Sequence, residues 1–231
     1  ASKLGAEIHT LVPIEGCEDQ VFTANPTFCG LHPETKEKIA VLAQMKHPSR
    51  RREVDAHARW FRSRGYRVNE LPQIAKGFEG GGDAIWHPDG RRIWGGYGFR
   101  SGLDAYGPLS RIFQTEVITL HLVDERFYHL DTCLVALDCN TAIACRSAFD
   151  EVSWTRIRAG FSDLIEVSAE DASRFMVCNA VAWAGRDIVL QAGAAEVVRA
   201  LRTRGFEVHE VETGEYIKSG GSVYCLKNWV W

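Results

Sequence analysis

The sequence predicts an α/β fold built from a recurring hairpin–helix–strand unit, and three observations carry that prediction. The first is a near-repeat. Phe61-Arg62-Ser63-Arg64-Gly65-Tyr66-Arg67-Val68-Asn69-Glu70-Leu71 returns as Leu201-Arg202-Thr203-Arg204-Gly205-Phe206-Glu207-Val208-His209-Glu210-Val211. Each copy reads as the end of a helix, a glycine C-cap and an alternating strand. The second is that the same helix-to-strand passage occurs twice between them, at Phe113–Leu122 and at Arg156–Ser168. The third is that apolar runs broken by turn residues fill the spaces between these markers. A supersecondary unit recurring every ~47 residues means a ring or an array.

Taken in order, Ala1-Ser2-Lys3-Leu4-Gly5 reads as the last turn of a helix, followed by a strand over Glu7–Val12. That unit has no opening hairpin, so the first unit is expected to be incomplete, with N-terminal residues missing. A helix over Arg50–Arg64 and the strand after Gly65 make a partial unit. Three full units follow. The first opens at Phe78–Gly98 around the turn His87-Pro88-Asp89-Gly90, and its last strand is Val117–Leu122. The second opens at Asp131–Arg146 around Asp138-Cys139-Asn140-Thr141 and ends on Leu164–Val167. The third opens at Phe175–Leu190 around Ala184-Gly185-Arg186-Asp187. A closing strand pair, its last strand containing Cys225, is expected at the C-terminus. The whole of 1–231 is expected to form one domain.

Composition narrows the function. The chain has 231 residues, 45% hydrophobic and 25% charged, with a net charge of −3. Those are globular proportions, and near-neutrality gives no general attraction to nucleic acid or an anionic membrane. No apolar run approaches the ~20 residues of a membrane span. Seven cysteines without a CxxC pair suit free thiols in a reducing compartment, so a cytoplasmic location is expected. Most of them, including Cys133, Cys139, Cys145 and Cys178, are expected as small core residues.

Several segments carry chemistry. Cys225 follows the glycine-rich bend Ser219-Gly220-Gly221-Ser222, where a thiol could act as a nucleophile; the plainer alternative is a buried thiol in a last strand. His129 and Asp131 are spaced to share one face of a strand, which suits a general acid/base beside a cation-binding carboxylate. A metal site using His121, His129 and Cys133 matches no common zinc spacing. Glu79-Gly80-Gly81-Gly82-Asp83 sets two acids around three glycines and lacks the end of a phosphate loop, so a small ligand between carboxylates is the reading. Arg50-Arg51-Arg52 opens a helix of mixed charge; a solvated helix end competes there with a carboxylate contact. Arg100 stands where a strand hands over to a helix, a common place for a ligand clamp.

Together these segments, in this order, resemble the guanidine-modifying enzymes of the pentein fold. That superfamily contains dimethylarginine dimethylaminohydrolases, arginine deiminases, arginine dihydrolases and amidinotransferases. The resemblance spans nearly the whole chain. It implies a propeller-like ring of five such units around a central site, with one unit incomplete here. It also implies Cys225 as nucleophile, His129 as general acid/base and Glu79 as the group that orients and charges the imidazole. Asp131 would hold the guanidinium, with Asp83 flanking the ligand. Arg100, and with it Arg50, would bind the α-carboxylate. Asp19-Gln20-Val21-Phe22-Thr23-Ala24-Asn25 resembles the segment that holds the guanidinium or amino group, so Asp19 and Asn25 are candidate contacts. Acids are usual at its end in deiminases and dimethylarginine hydrolases; Ala24 and Asn25 are more like the arginine dihydrolases.

The implied chemistry is hydrolysis of arginine or a derivative through a covalent thiouronium, with no metal or cofactor. An amidinotransferase on the same site, or a non-catalytic binding protein of this fold, stays open. The expected partner is a small guanidine, with no nucleic acid and no membrane, and association into a homo-oligomer is left open.

Overall fold

The sequence repeat is realised as four three-stranded sheets in the computed structural model, which describes residues 5–72 and 77–231. Each sheet joins an antiparallel hairpin to a third strand that runs parallel to the second. A parallel neighbour cannot follow a tight turn, so a crossover helix precedes each third strand. The first sheet holds β1 (Thr27–Leu31), β2 (Lys38–Leu42) and, after α1 (Pro48–Ser63), β3 (Arg67–Glu70). A single helical turn, α2 (Gly80–Asp83), leads into β4 (Ala84–Trp86) and β5 (Arg92–Tyr97); α3 (Tyr106–Phe113) and β6 (Glu116–His121) complete that unit. The next contains β7 (Leu134–Ala136), β8 (Thr141–Ala144), α4 (Glu151–Gly160) and β9 (Asp163–Glu166). After α5 (Ala169–Arg174) come β10 (Val181–Trp183), β11 (Asp187–Gln191), α6 (Ala195–Thr203) and β12 (Glu207–Val211), with α7 (Gly214–Ile217) near the C-terminus.

Burial explains the strand patterns. The middle strands read as unbroken apolar runs, Ile39–Leu42 and Ala142–Ala144, because they are covered on both faces. The outer strands β3 and β12 are largely exposed edges and carry Arg67, Glu70, Glu207 and Glu210, charges that discourage edge-to-edge pairing. Helix starts follow local chemistry. Pro48 takes the first position of α1, where its missing N–H costs nothing. Asp150 caps α4 by accepting from Ser153 N at 2.8 Å, and Ser168 caps α5 by accepting from Asp171 N at 3.0 Å. One apolar cluster gathers Trp94, Phe127, Leu130, Ile143, Ile157 and Leu201; a second gathers Phe28, Phe78, Tyr106 and Phe113.

Four expectations change. The unit before Phe78 is complete: its hairpin is β1–β2, which a strand containing Cys29 and Gly30 and a connection through Pro33 had concealed. Glu7–Val12 forms no strand; Ile8 and Val12 are exposed and have no sheet to join. The helix end expected over 1–4 lies outside the described residues. Residues 222–226 form a turn, so β12 has no partner strand there. Cys139 is exposed in the β7–β8 turn, whereas Cys133, Cys145 and Cys178 are core.

The architecture places polar residues systematically. Just ahead of the first strand of each sheet stand Asn25, Asp83, Asp131 and Asn179, each buried to 2% exposure or less. These segments meet one another and the turn that holds Cys225.

Candidate active site

Cys225 sits in a turn that is anchored from three sides. Asn179 Oδ1 accepts from the N–H of Ser222 (3.0 Å) and of Cys225 (3.2 Å). Asn179 Nδ2 donates to Cys225 Sγ and to the Asp131 carbonyl, both at 3.2 Å. The carbonyl of Cys225 accepts from Ala24 N at 3.2 Å, which ties the turn to the 19–25 segment. The thiol donates to Asp131 Oδ2 at 3.3 Å. Burial, and then the Asp131 charge, push the Cys225 thiol well above its ordinary pKa. A cation arriving beside it would lower that pKa again. Asn179 is a site residue that the sequence reading missed. Its signal was positional: it precedes β10 as Asn25 precedes β1.

His129 and Asp131 do not share a strand face. His129 is extended and leads a 3-10 turn, Leu130–Thr132. That turn still buries both side chains, at 3% and 0% exposure. His129 Nε2 and Glu79 Oε2 are 2.7 Å apart, and Glu79 Oε1 accepts from Lys46 N at 2.9 Å. Burial opposes the Glu79 charge, but His129 and the neighbouring donors overcome it and hold the carboxyl down at about 2. Burial likewise opposes the His129 cation, yet Asp83, Glu79 and Asp131 together raise its pKa. The surrounding carboxylates therefore favour the protonated imidazole.

A stability prediction follows from Glu79. Its pKa falls from an ordinary 4.5 to about 2 in the folded chain, so its contribution is fully present above pH 4.5 and is lost as pH falls through 2. Thermal melts of wild type and Glu79→Gln should differ most above that window, with wild type the more stable, and the gap should close toward its acid end. A gap that widens on acidification would contradict the assignment.

Asp83 is a brace. Its Oδ1 accepts from Leu130 N (3.1 Å) and its Oδ2 from Ser101 Oγ (2.6 Å), so the carboxylate ties the His129 turn to the segment after β5. Burial raises its carboxyl to about 6. The glycines between Glu79 and Asp83 exist for close approach. Gly80 has φ +52°, and a Cβ there would strike the backbone carbonyl of Asn25. A Cβ on Gly82 would collide with Asn25 Nδ2 and press on the His129 ring, 3.2 Å from its Cγ. Asn25 and His129 thus face each other across Gly82.

Arg50 is neither a solvated helix end nor free for a carboxylate. It is 6% exposed and pairs with the fully buried Glu53, Nε to Oε1 at 3.1 Å and Nη2 to Oε2 at 2.9 Å. Its Nη1 donates to Asn25 Oδ1 at 3.0 Å, and its Nη2 also reaches the carbonyls of Phe22 and Asp19. Asp19 meets the site through that carbonyl, its side chain half-buried at the edge. Arg100 does reach the site. Its Nη1 lies 3.2 Å from Glu79 Oε2, and its guanidinium covers the Tyr128 ring at 4.8 Å. Arg51, next to Arg50 in sequence, is exposed and donates through Nε to the Met45 carbonyl at 3.2 Å. Three consecutive arginines gave no sign of which one would turn inward.

Two buried side-chain atoms of the site have no partner among the described residues: Asn25 Nδ2, a donor, and Asp131 Oδ1, an acceptor. Buried polar atoms are rarely left unpaired, so this pair marks where a ligand belongs. The three residues of the conceivable metal set are engaged apart from one another. His121 pairs with Asp150 at 3.2 Å, His129 with Glu79, and Cys133 with carbonyls of its own turn.

Comparisons with known proteins establish the family and the fold. A family model described as N,N dimethylarginine dimethylhydrolase, eukaryotic, matches residues 3–228. This chain belongs to that family. The dimethylarginine hydrolase relatives include the N(G),N(G)-dimethylarginine dimethylaminohydrolase of Mycobacterium tuberculosis, 37% identical over 96% of this chain and 70% of that protein. The bifunctional arginine dihydrolase/ornithine cyclodeaminase ArgZ of Synechocystis is 38% identical over 96% of this chain, but the match covers 30% of ArgZ. The chain thus spans under a third of the curated dihydrolase relatives it matches. The crystal structure of the ArgZ N-terminal domain, as a cysteine-to-serine mutant bound to substrate, superposes with a TM-score of 0.88 at 35% identity, covering 97% of this chain and 83% of that one. The fold is therefore that of the dimethylarginine hydrolase and dihydrolase structures, as the sequence resemblance implied.

Proposed function

We propose that this chain hydrolyses the guanidino group of arginine through Cys225, and that it does so in the dihydrolase manner, releasing ornithine, carbon dioxide and ammonia. The observation that carries the reading is two unpartnered buried atoms: Asp131 Oδ1, on the carboxylate that accepts from the Cys225 thiol, and Asn25 Nδ2, which lies over Gly82. A guanidinium supplies the N–H that Asp131 Oδ1 lacks. Its charge also offsets the burial and the Asp131 carboxylate that keep the thiol protonated, so substrate binding favours the thiolate. The thiolate attacks the guanidino carbon, His129 gives its proton to the departing ammonia, and a thiouronium remains on Cys225. Neutral His129 then takes a proton from water, which attacks that carbon and expels the thiolate. The product of this round is a ureido group. Its oxygen is the acceptor that Asn25 Nδ2 lacks, so the site can hold it for a second attack.

Two crystal structures of the ArgZ N-terminal domain support this reading by analogy: one has substrate bound, and one is covalently bonded to a reaction intermediate in an asparagine-to-serine variant. A hydrolase of methylated arginines is the second reading, favoured by the matching family model. Mass spectrometry of products from purified protein separates them. Arginine as the preferred substrate with ornithine as product supports the dihydrolase; dimethylarginine preferred over arginine, with citrulline as the end point, replaces it.

The substrate's α-carboxylate is assigned to Arg100, whose guanidinium borders Glu79, and its amino group to Asp19. Arg100→Ala should lower kcat/KM for arginine by roughly 10–100-fold, the worth of a charged hydrogen-bond pair. Agmatine, which has no carboxylate, should be affected far less. Equal losses on the two substrates would count against the assignment.

A further inference from the structure

We infer that the buried Arg50–Glu53 pair is a positioning device that fixes the amide of Asn25 with its NH2 toward the substrate, and so makes the site hold a ureido oxygen. The inference rests on the dihydrolase reading and deepens it. An asparagine amide can turn over, presenting either a donor or an acceptor. Here Arg50 Nη1 donates to Asn25 Oδ1, and arginine has no acceptor with which to satisfy the other face. Turning the amide would set two donors against each other in a buried place. Arg50 cannot turn away. Its Nε and Nη2 are engaged by both oxygens of Glu53, which is fully buried, and Nη2 is held further by the carbonyls of Phe22 and Asp19.

The consequence appears on the other side of the amide. Asn25 Nδ2 is buried, has no partner among the described residues, and lies over Gly82 against the His129 ring. A guanidinium offers only N–H groups there. A ureido product offers an oxygen. Orientation of one amide therefore separates the first intermediate product from the substrate, and residues that never touch either molecule set that orientation.

Binding to the Cys225→Ser protein, which cannot turn over, tests this directly. Arginine and citrulline affinities are measured by calorimetry with and without Arg50→Met/Glu53→Leu. Replacing both members of a buried ion pair with apolar groups is commonly tolerated by the fold. The expected result is a loss of citrulline affinity of about tenfold, with arginine changed by no more than about twofold, as one hydrogen bond requires. Arg50→Lys, which keeps a donor at this point, should restore the citrulline-to-arginine ratio. If the apolar pair does not give a cooperative melt, Arg50→Gln/Glu53→Gln takes its place with the same expectation, its side chain too short to reach Asn25. Proportional weakening of both ligands would mean a merely structural role and would overturn the inference. Product analysis of wild type is run in parallel. Wild type that stops at citrulline refutes the dihydrolase reading, while the affinity ratio still decides what Arg50 does.

Discussion

Cys225→Ser should lower turnover of arginine by about four orders of magnitude or more and leave the melting temperature within a few degrees of wild type. The two halves of that expectation come from different parts of the structure. The turn is held by backbone hydrogen bonds to Asn179 and Ala24, and none of these uses the sulfur. The sulfur itself contacts Asn179 Nδ2 and Asp131 Oδ2, and a serine hydroxyl can meet the same groups. What is lost is a nucleophile. A guanidinium bound against Asp131 can bring a thiol to its thiolate, whereas an alcohol starts far too weak an acid. Steady-state kinetics and a circular-dichroism melt check both halves. Turnover near the wild-type rate would remove the covalent mechanism.

Asn25→Asp should shift the product from ornithine toward citrulline, changing their ratio by roughly 10–100-fold. An aspartate there would keep the partnership with Arg50 through one oxygen and present the other to the substrate. Both oxygens of the carboxylate only accept. The substrate cation is then favoured, and the neutral ureido oxygen meets an acceptor with no proton to share and leaves. Product mass spectrometry with arginine as sole substrate reads the ratio. An unchanged ornithine fraction would mean that Asn25 does not control the second round.

Much of this was legible in the sequence, for identifiable reasons. The repeat at 61–71 and 201–211 survived because a helix end and its following strand need the same residue types wherever they recur. The β1–β2 hairpin was hidden because β1 contains Cys29 and Gly30, which weaken a strand pattern, while its burial comes from neighbours distant in sequence such as Phe113 and Trp86. Glu79, His129 and Cys225 could be singled out because glycine-rich or paired-acid surroundings advertise them. Their mutual geometry could not, since the 3-10 turn at Leu130–Thr132 and the turn at 222–226 replace the strands that spacing suggested. Asn179 offered only its position before a strand, and Glu53 offered nothing. Each is a common residue that acquires its role only when another unit of the fold delivers a partner to it. The inward turn of Arg50 is the clearest case. Charge and helix position argued for solvent, and a fully buried Glu53 one turn along decided otherwise.

The proposed mechanism requires a covalent bond between Cys225 and the guanidino carbon. It is tested most directly by acid-quenching the protein during turnover of arginine labelled in that carbon and mapping its peptides by mass spectrometry. Label is expected on the peptide containing Cys225, with the mass of arginine less ammonia, and none in the Cys225→Ser protein. Turnover without label on Cys225, or label carried by another residue, would contradict it.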